Sequence, residues 1–175
     1  MWKTIKSEII YKNKWWRIRR DRFKTKNNIQ GNYEYIDTKG GVIIVPFIDE
    51  ENVLLIKQYR YPNRAYSLEF PAGGIIRSSS KSAKIELKQE TGYSARKINK
   101  IGEFLPYTGL SNEICHIYIA TGLFKVNTTP EITEEVKNII IPIRDVKSML
   151  IKNKDGKAIT AWIMVQEFLR KNEIK

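Results

Sequence analysis

Glu86 and Glu90 are the residues of this chain whose type and spacing best suit chemistry. They stand in Leu68 to Tyr93, LEFPAGGIIRSSSKSAKIELKQETGY, which reads as strand, Gly-rich turn and helix. Four residues apart on a helix, the two carboxylates share one face, about 5–6 Å apart at Cβ. Like charges at that spacing repel, so the pair calls for a cation or else for a solvated face. Oxygen ligands from one or two carboxylates, completed by substrate phosphates, are what Mg²⁺ takes. The turn before the helix, Ala72-Gly73-Gly74, lets a backbone bend tightly or come close to a ligand, because glycine has no Cβ.

The elements around this segment follow from pattern. Residues 1–36 read as strands and turns, with the aromatic and basic run WWRIRRDRF and the turn signal KNNIQGN. Strands are expected over Gly40–Ile48, Val53–Gln58 and Ser67–Phe70, the last stopped by Pro71. SSSKS at Ser78–Ser82 reads as a short loop leading into the acidic helix. That helix runs over Ser80–Thr91, with Ala83 and Leu87 in register and Gly92 in the C-cap place. Strands are predicted over Lys100–Pro106, Glu113–Thr121 and Val136–Ile143, with a polar loop at Lys125–Glu135. Helices follow over Arg144–Asn153 and Ala158–Lys171, separated by a turn at Asp155-Gly156. The last helix puts Ala161, Trp162, Val165, Phe168 and Leu169 on one side. Strands on both sides of two or three helices predict an α/β (α+β) fold, a mixed sheet covered by helices. His116 alternates with Ile114 and Tyr118 and reads as structural, and Cys115 reads as packing.

At 175 residues the chain suits one domain with a small extra lobe. It has 31 Lys and Arg against 19 Asp and Glu, a net charge of +12, which favours an anionic partner. That partner could be a nucleic acid, a membrane surface or a phosphorylated small molecule; with Lys and Ile abundant throughout and the basic residues spread along the chain, a bias of composition explains the charge better than a dedicated nucleic-acid patch. The apolar runs are too short to span a membrane, and the N-terminus lacks a signal-peptide core. A single cysteine forbids an intrachain disulfide and, with one histidine, argues against a zinc site. A cytoplasmic setting is the expectation.

The segment resembles a Nudix box, whose pattern is Gly, five residues, Glu, seven residues, Arg-Glu-apolar-any-Glu-Glu-any-Gly-apolar. Gly73 would be its first glycine and Glu86-Leu87-Lys88-Gln89-Glu90-Thr91-Gly92-Tyr93 its end. The flanks GGVIIVP (Gly40–Pro46), QYRYP (Gln58–Pro62), LEFPAG (Leu68–Gly73) and ATGL (Ala120–Leu123) resemble the ADP-ribose pyrophosphatase branch of the Nudix hydrolases. The likeness runs over roughly residues 10–170, and a match of several motifs in order is more specific than one pattern. The box departs from its pattern. It is two residues short, its first Glu is missing near Arg77–Ser80, its Arg falls on Ile85, and the first Glu of its Glu-Glu pair is Gln89.

The resemblance implies a Nudix fold, a mixed sheet between helices, with an N-terminal antiparallel β lobe. It implies a β lobe over residues 1–38 that makes a homodimer, and a hydrolase domain over residues 39–175. It implies Mg²⁺ or Mn²⁺ held by the Ala72 carbonyl, Glu86 and Glu90, with Gln89 a weakened ligand that keeps an oxygen and loses the charge. The expected reaction is hydrolysis of the pyrophosphate of ADP-ribose or a related nucleoside diphosphate sugar, to AMP and a sugar phosphate. Glu134 is the expected base, with Glu131 and Glu135 as neighbouring rivals. Arg60 would grip phosphate with a bidentate fork. Gly73 lines the substrate site, Glu113 falls at the terminal ribose, and Trp15 and Tyr33 fall around the adenine, with Trp16 the alternate for Trp15. The incomplete box leaves a second reading, a weakly active or inactive module that binds nucleotide or RNA.

Overall fold

The computed structural model describes residues 1–127 and 136–173. The chain divides into two compact units, Met1–Gly40 with Leu105–Ile114, and Gly41–Phe104 with Cys115–Lys175.

The first unit is built on a three-stranded antiparallel meander, β1 (Lys3–Lys12), β2 (Arg17–Lys24) and β3 (Gln30–Asp37). Its turns are closed locally. The Asn13 side chain accepts from the backbone N–H of Trp15 and Trp16 at 2.9 and 2.8 Å. Asn28 takes the left-handed conformation (φ 64°) that asparagine tolerates in a turn. The Leu105–Ile114 segment docks on β3, with Ile36 N–H donating to Leu110 O at 2.8 Å and Asn112 N–H to Ile36 O at 3.2 Å.

One carboxylate organises this unit. Asp37 is 6% exposed. It accepts from Arg19 (2.7 Å) and from the Asn112 amide (2.7 Å), and it pairs with Arg17 at 2.8 Å. Burial disfavours its charge, but the hydrogen bonds from Arg19 and Asn112 and the charges of Arg19 and Arg17 outweigh that. They hold its carboxyl below the ordinary range.

The second unit holds two sheets and three helices. A mixed sheet has the order β7 (Ala72–Gly74), β4 (Gly41–Pro46), β9 (Cys115–Lys125), β8 (Tyr93–Phe104). β4 and β9 run parallel, and the other pairs are antiparallel. An antiparallel sheet has the order β10 (Val136–Pro142), β5 (Asn52–Arg60), β6 (Ala65–Glu69). The helices are α1 (Ser79–Thr91), α2 (Ile143–Asn153) and α3 (Gly156–Glu173).

Strand alternation sends neighbouring side chains of β4 and β9 to opposite faces. Ile43, Val45, Ile117 and Ile119 enter a large core with Val53, Leu55, Phe70, Val146, Leu150 and Trp162. Val42, Ile44, Tyr118 and Ala120 enter a smaller core with Ala83 and Leu87 of α1. The mixed sheet is therefore covered on both faces. Among the described residues no helix is long and apolar enough to cross a membrane.

Three elements differ from the pattern-based expectation. β8 starts at Tyr93, not Lys100, because it is an edge strand whose half-exposed residues lack apolar alternation. SSSKS is not a loop. Ser78 is the N-cap of α1, accepting from Lys81 N–H, and Ser79–Ser82 is the first turn. Asp155-Gly156 opens α3 directly, with Asp155 accepting from Ala158 N–H at 2.7 Å after a left-handed Lys154 (φ 68°).

Asn153, the last residue of α2, caps the outer edge of β6. Its side chain accepts from Leu68 N–H at 2.8 Å and donates to Leu68 O at 2.9 Å, as a neighbouring strand would. Asn153→Ala removes both bonds and is expected to cost about 1–3 kcal/mol, seen as a lower urea midpoint; an unchanged midpoint would count against the contact.

A carboxyl with a depressed folded value stabilises the fold above its unfolded value, near ~3.9. That stabilisation is lost as pH falls through the lower folded value. Asp37→Asn is therefore expected to weaken the fold at pH 7 and to flatten its pH dependence below about pH 4. Denaturation of both proteins at pH 7 and pH 3, followed by tryptophan fluorescence, checks this. Parallel pH profiles would contradict it.

Candidate active site

The site is built where α1 lies along β7. β7 is only three residues, hung on β4 by the pairs Ala72–Ile43, Gly73–Val42 and Gly74–Gly41. Pro71 O, just before it, accepts from Ile44 N–H at 2.9 Å. α1 is fixed on its buried face by Ser82, Ala83, Leu87 and Thr91. Its C-terminal end stops at Gly92 (φ 71°), whose N–H donates to Lys88 O, and the Asn138 amide of β10 donates to Thr91 O at 2.8 Å.

The two carboxylates lie at the rim of this buried face, both half-buried. Glu90 accepts a hydrogen bond from Ala72 N–H at 2.9 Å. Glu86 lies against Gly73 so closely that a methyl group there would overlap its carboxyl. The absence of a side chain at Gly73 is thus what admits Glu86 to the β7 backbone. Gln89 is exposed. Among the described residues no cluster of three or more His, Cys, Asp and Glu is close enough to hold a metal by itself. Two carboxylates beside the β7 backbone are oxygen donors of the kind a hard divalent ion takes, one whose shell would be completed by water and phosphate oxygens.

Arg60 ends β5 and reaches Glu69 at the end of β6. Its Nε donates to Glu69 Oε1 at 2.7 Å and one terminal nitrogen to Oε2 at 2.5 Å, so the fork is bidentate onto a protein carboxylate. The Glu69 side chain is 11% exposed and that of Arg60 41%. The Glu69 hydrogen bonds raise the Arg60 pKa, with the Glu69, Glu90 and Asp155 charges adding to it. Burial pushes the Asp155 carboxyl up, and the charge of Glu69 pushes it further.

Ala72, Gly73, Glu86 and Glu90 are thus brought together within the second unit, and Arg60, in the same unit, feels the Glu90 charge while its fork is bound to Glu69. Glu69 and Asp155, whose charges also act on Arg60, were not expected from the sequence. A charge between Leu68 and Phe70 in an apolar strand is the signal for Glu69; Asp155 gives none beyond its place as a helix cap.

Trp15, Tyr33 and Glu113 lie in the first unit. Trp15 is 77% exposed, with Lys14 Nζ 5.6 Å from its ring centroid. Tyr33 is 40% exposed and donates its hydroxyl to Gly109 O at 2.9 Å. Trp16 leans on Tyr11, ring centroids 5.4 Å apart. Glu134, with Glu131 and Glu135, lies outside the described residues. His116 Nδ1 is 3.0 Å from Glu103, and Cys115 is buried in the large core.

Residues 2–36 match the nucleoside diphosphate sugar hydrolase N-terminal domain, and residues 37–163 match the NUDIX domain. The chain is 28% identical over 176 residues to the methanol dehydrogenase activator of Bacillus methanolicus, covering 96% of this chain and 95% of the relative. It is 27% identical over 164 residues to the ADP-ribose pyrophosphatase of Bacillus subtilis (strain 168), covering 91% and 89%. The solved structure described as an ADP compounds hydrolase superposes with a TM-score of 0.84 at 20% identity, over 98% of this chain and 95% of that one. The fold is therefore the Nudix fold, and with its NUDIX domain spanning most of its length this chain belongs to the Nudix hydrolase family.

Proposed function

We propose that the protein hydrolyses the pyrophosphate bond of ADP-ribose or a related nucleoside diphosphate sugar, releasing AMP and a sugar phosphate with the help of Mg²⁺ or Mn²⁺. The observation that carries this reading is the arrangement of Glu86 and Glu90 on the backbone of Ala72 and Gly73. The similarity to a nucleoside diphosphate sugar hydrolase N-terminal domain and to an ADP-ribose pyrophosphatase supports this substrate class.

Glu86 and Glu90, with the Ala72 carbonyl, would hold the metal, and Gln89 would contribute at most a neutral oxygen. A divalent ion held there would supply positive charge to the phosphoryl oxygens and would acidify a water. The chain's own groups do the rest. Ala72 N–H holds Glu90 in one orientation, so little has to reorganise when the anionic substrate arrives. Glu69 fixes the plane of Arg60, whose exposed part then meets phosphate with its geometry already set. Glu134 is proposed as the base that takes the water's proton. Trp15 and Tyr33 offer exposed rings for the adenine, worth about 1–3 kcal/mol per stacked base, and Glu113 is proposed at the terminal ribose. A homodimer through the exposed N-terminal sheet completes the reading.

The test is AMP release from ADP-ribose with Mg²⁺ or Mn²⁺, beside Glu90→Gln. Metal-dependent release that falls by about 10²-fold or more in the variant is expected, since even groups that only support a ligand are worth 10–100-fold. Nucleotide binding without release from any nucleoside diphosphate sugar would instead mark a binding module. Gly73→Ala is the second test. Its methyl group displaces only the end of a flexible side chain, so stability is expected within about 1 kcal/mol of wild type, while the metal-dependent rate collapses. Full activity in Gly73→Ala would remove Glu86 from the site.

A further inference from the structure

The acidic face of α1 carries a third contact to the same stretch of backbone. Ser82, Glu86 and Glu90 are spaced four residues apart and so form one stripe along the helix. Glu90 accepts from Ala72 N–H, and Glu86 lies on Gly73. Ser82 Oγ accepts from Ile76 N–H at 3.1 Å. The three contacts run in opposite directions along helix and backbone, so the helix is stitched antiparallel to residues 72–76. The outer two are hydrogen bonds from backbone N–H groups. Ser82 is 0% exposed, and its own N–H donates to Ser78 O at 2.9 Å, closing the first helical turn. One residue from Ser78, Ser79 Oγ accepts from the hydroxyl of Tyr118 at 2.8 Å.

We infer that Ser82 is a positioning residue for the metal-facing carboxylates, its hydroxyl fixing the roll of α1 against residues 72–76. This rests on the proposed metal-dependent reading. Ala83 and Leu87 seat the helix in the smaller core, and two hydrogen bonds two helical turns apart, at Ala72 and Ile76, set how its acidic stripe lies against residues 72–76. Side-chain tips stand about 5–6 Å from a helix axis, so a roll of about 20° would move the Glu86 carboxylate by about 2 Å. A misplacement of about 1 Å can cost about 10²-fold in rate. Ser82 touches neither substrate nor metal; it acts through Glu86 and Glu90.

The test is made without substrate. Amide exchange at Ile76 is measured by NMR in metal-free wild type and Ser82→Ala, and Mn²⁺ binding to both is titrated by electron paramagnetic resonance. Ser80→Ala, an exposed change in the same run, is the control, and Ser82→Thr keeps the hydroxyl. Ile76 is expected to be protected in wild type and to exchange at least about tenfold faster in Ser82→Ala. Mn²⁺ affinity is expected to fall by about 10–100-fold, with wild-type values in Ser80→Ala and recovery in Ser82→Thr. Unprotected Ile76 in wild type overturns the inference even if Ser82→Ala does not fold. So does Mn²⁺ affinity unchanged in Ser82→Ala while wild type binds. Wild type that binds no Mn²⁺ at all refutes the metal-dependent reading itself, and the positioning role with it.

Discussion

Two carboxylates four residues apart on one helix repel each other, and everything near this site is arranged around that repulsion. Strand β7 answers it with backbone. Ala72 offers an N–H to Glu90, and Gly73 offers a surface with no side chain to Glu86. Charged groups hydrogen-bonded by the main chain are oriented before any ligand arrives, and their mutual repulsion is what a cation would relieve. The short strand could not do this alone. It is held flat by β4, and the helix is pressed on it by Ala83 and Leu87 in the smaller core.

The same logic recurs with the opposite sign at Arg60. The Arg60 guanidinium feels the charges of Glu69, Glu90 and Asp155, and Glu69 meets it with a two-pronged hydrogen bond. Removing Arg60 would leave the largely buried Glu69 carboxylate uncompensated, which costs more than the pair contributes. In the first unit Asp37 plays the complementary part, one carboxylate gathering Arg17, Arg19 and Asn112. Both units thus rely on a few partly buried charges, each held by more than one hydrogen bond or ion pair.

Much of this was legible in the sequence because it depends on local pattern. The helix with Glu86 and Glu90, the glycines before it and the strands with continuous apolar runs are set by spacing and composition. Other features were not, for identifiable reasons. The early part of β8 has no alternation because neither of its faces is fully buried. The serines of Ser78–Ser82 look like linker residues, yet one caps the helix and another is fully buried. Such roles depend on which backbone groups lie opposite, and the chain brings those near only when folded. The Arg60 side chain reads as a phosphate fork by itself; its partner Glu69 is nine residues on, joined through a hairpin.

The alternation of β4 has a further consequence. Its odd-numbered residues Ile43 and Val45 fill one core, and its even-numbered residues Val42 and Ile44 fill the other. A slip of one residue would exchange the contents of both cores at once. Ala72 and Gly73 are paired to Ile43 and Val42, so the backbone that meets the carboxylates is measured from a strand that cannot move in either direction. Surrounding loops can lengthen, shorten or change sequence while this reference line stays put, and a box of altered length can still present its acids at the same place.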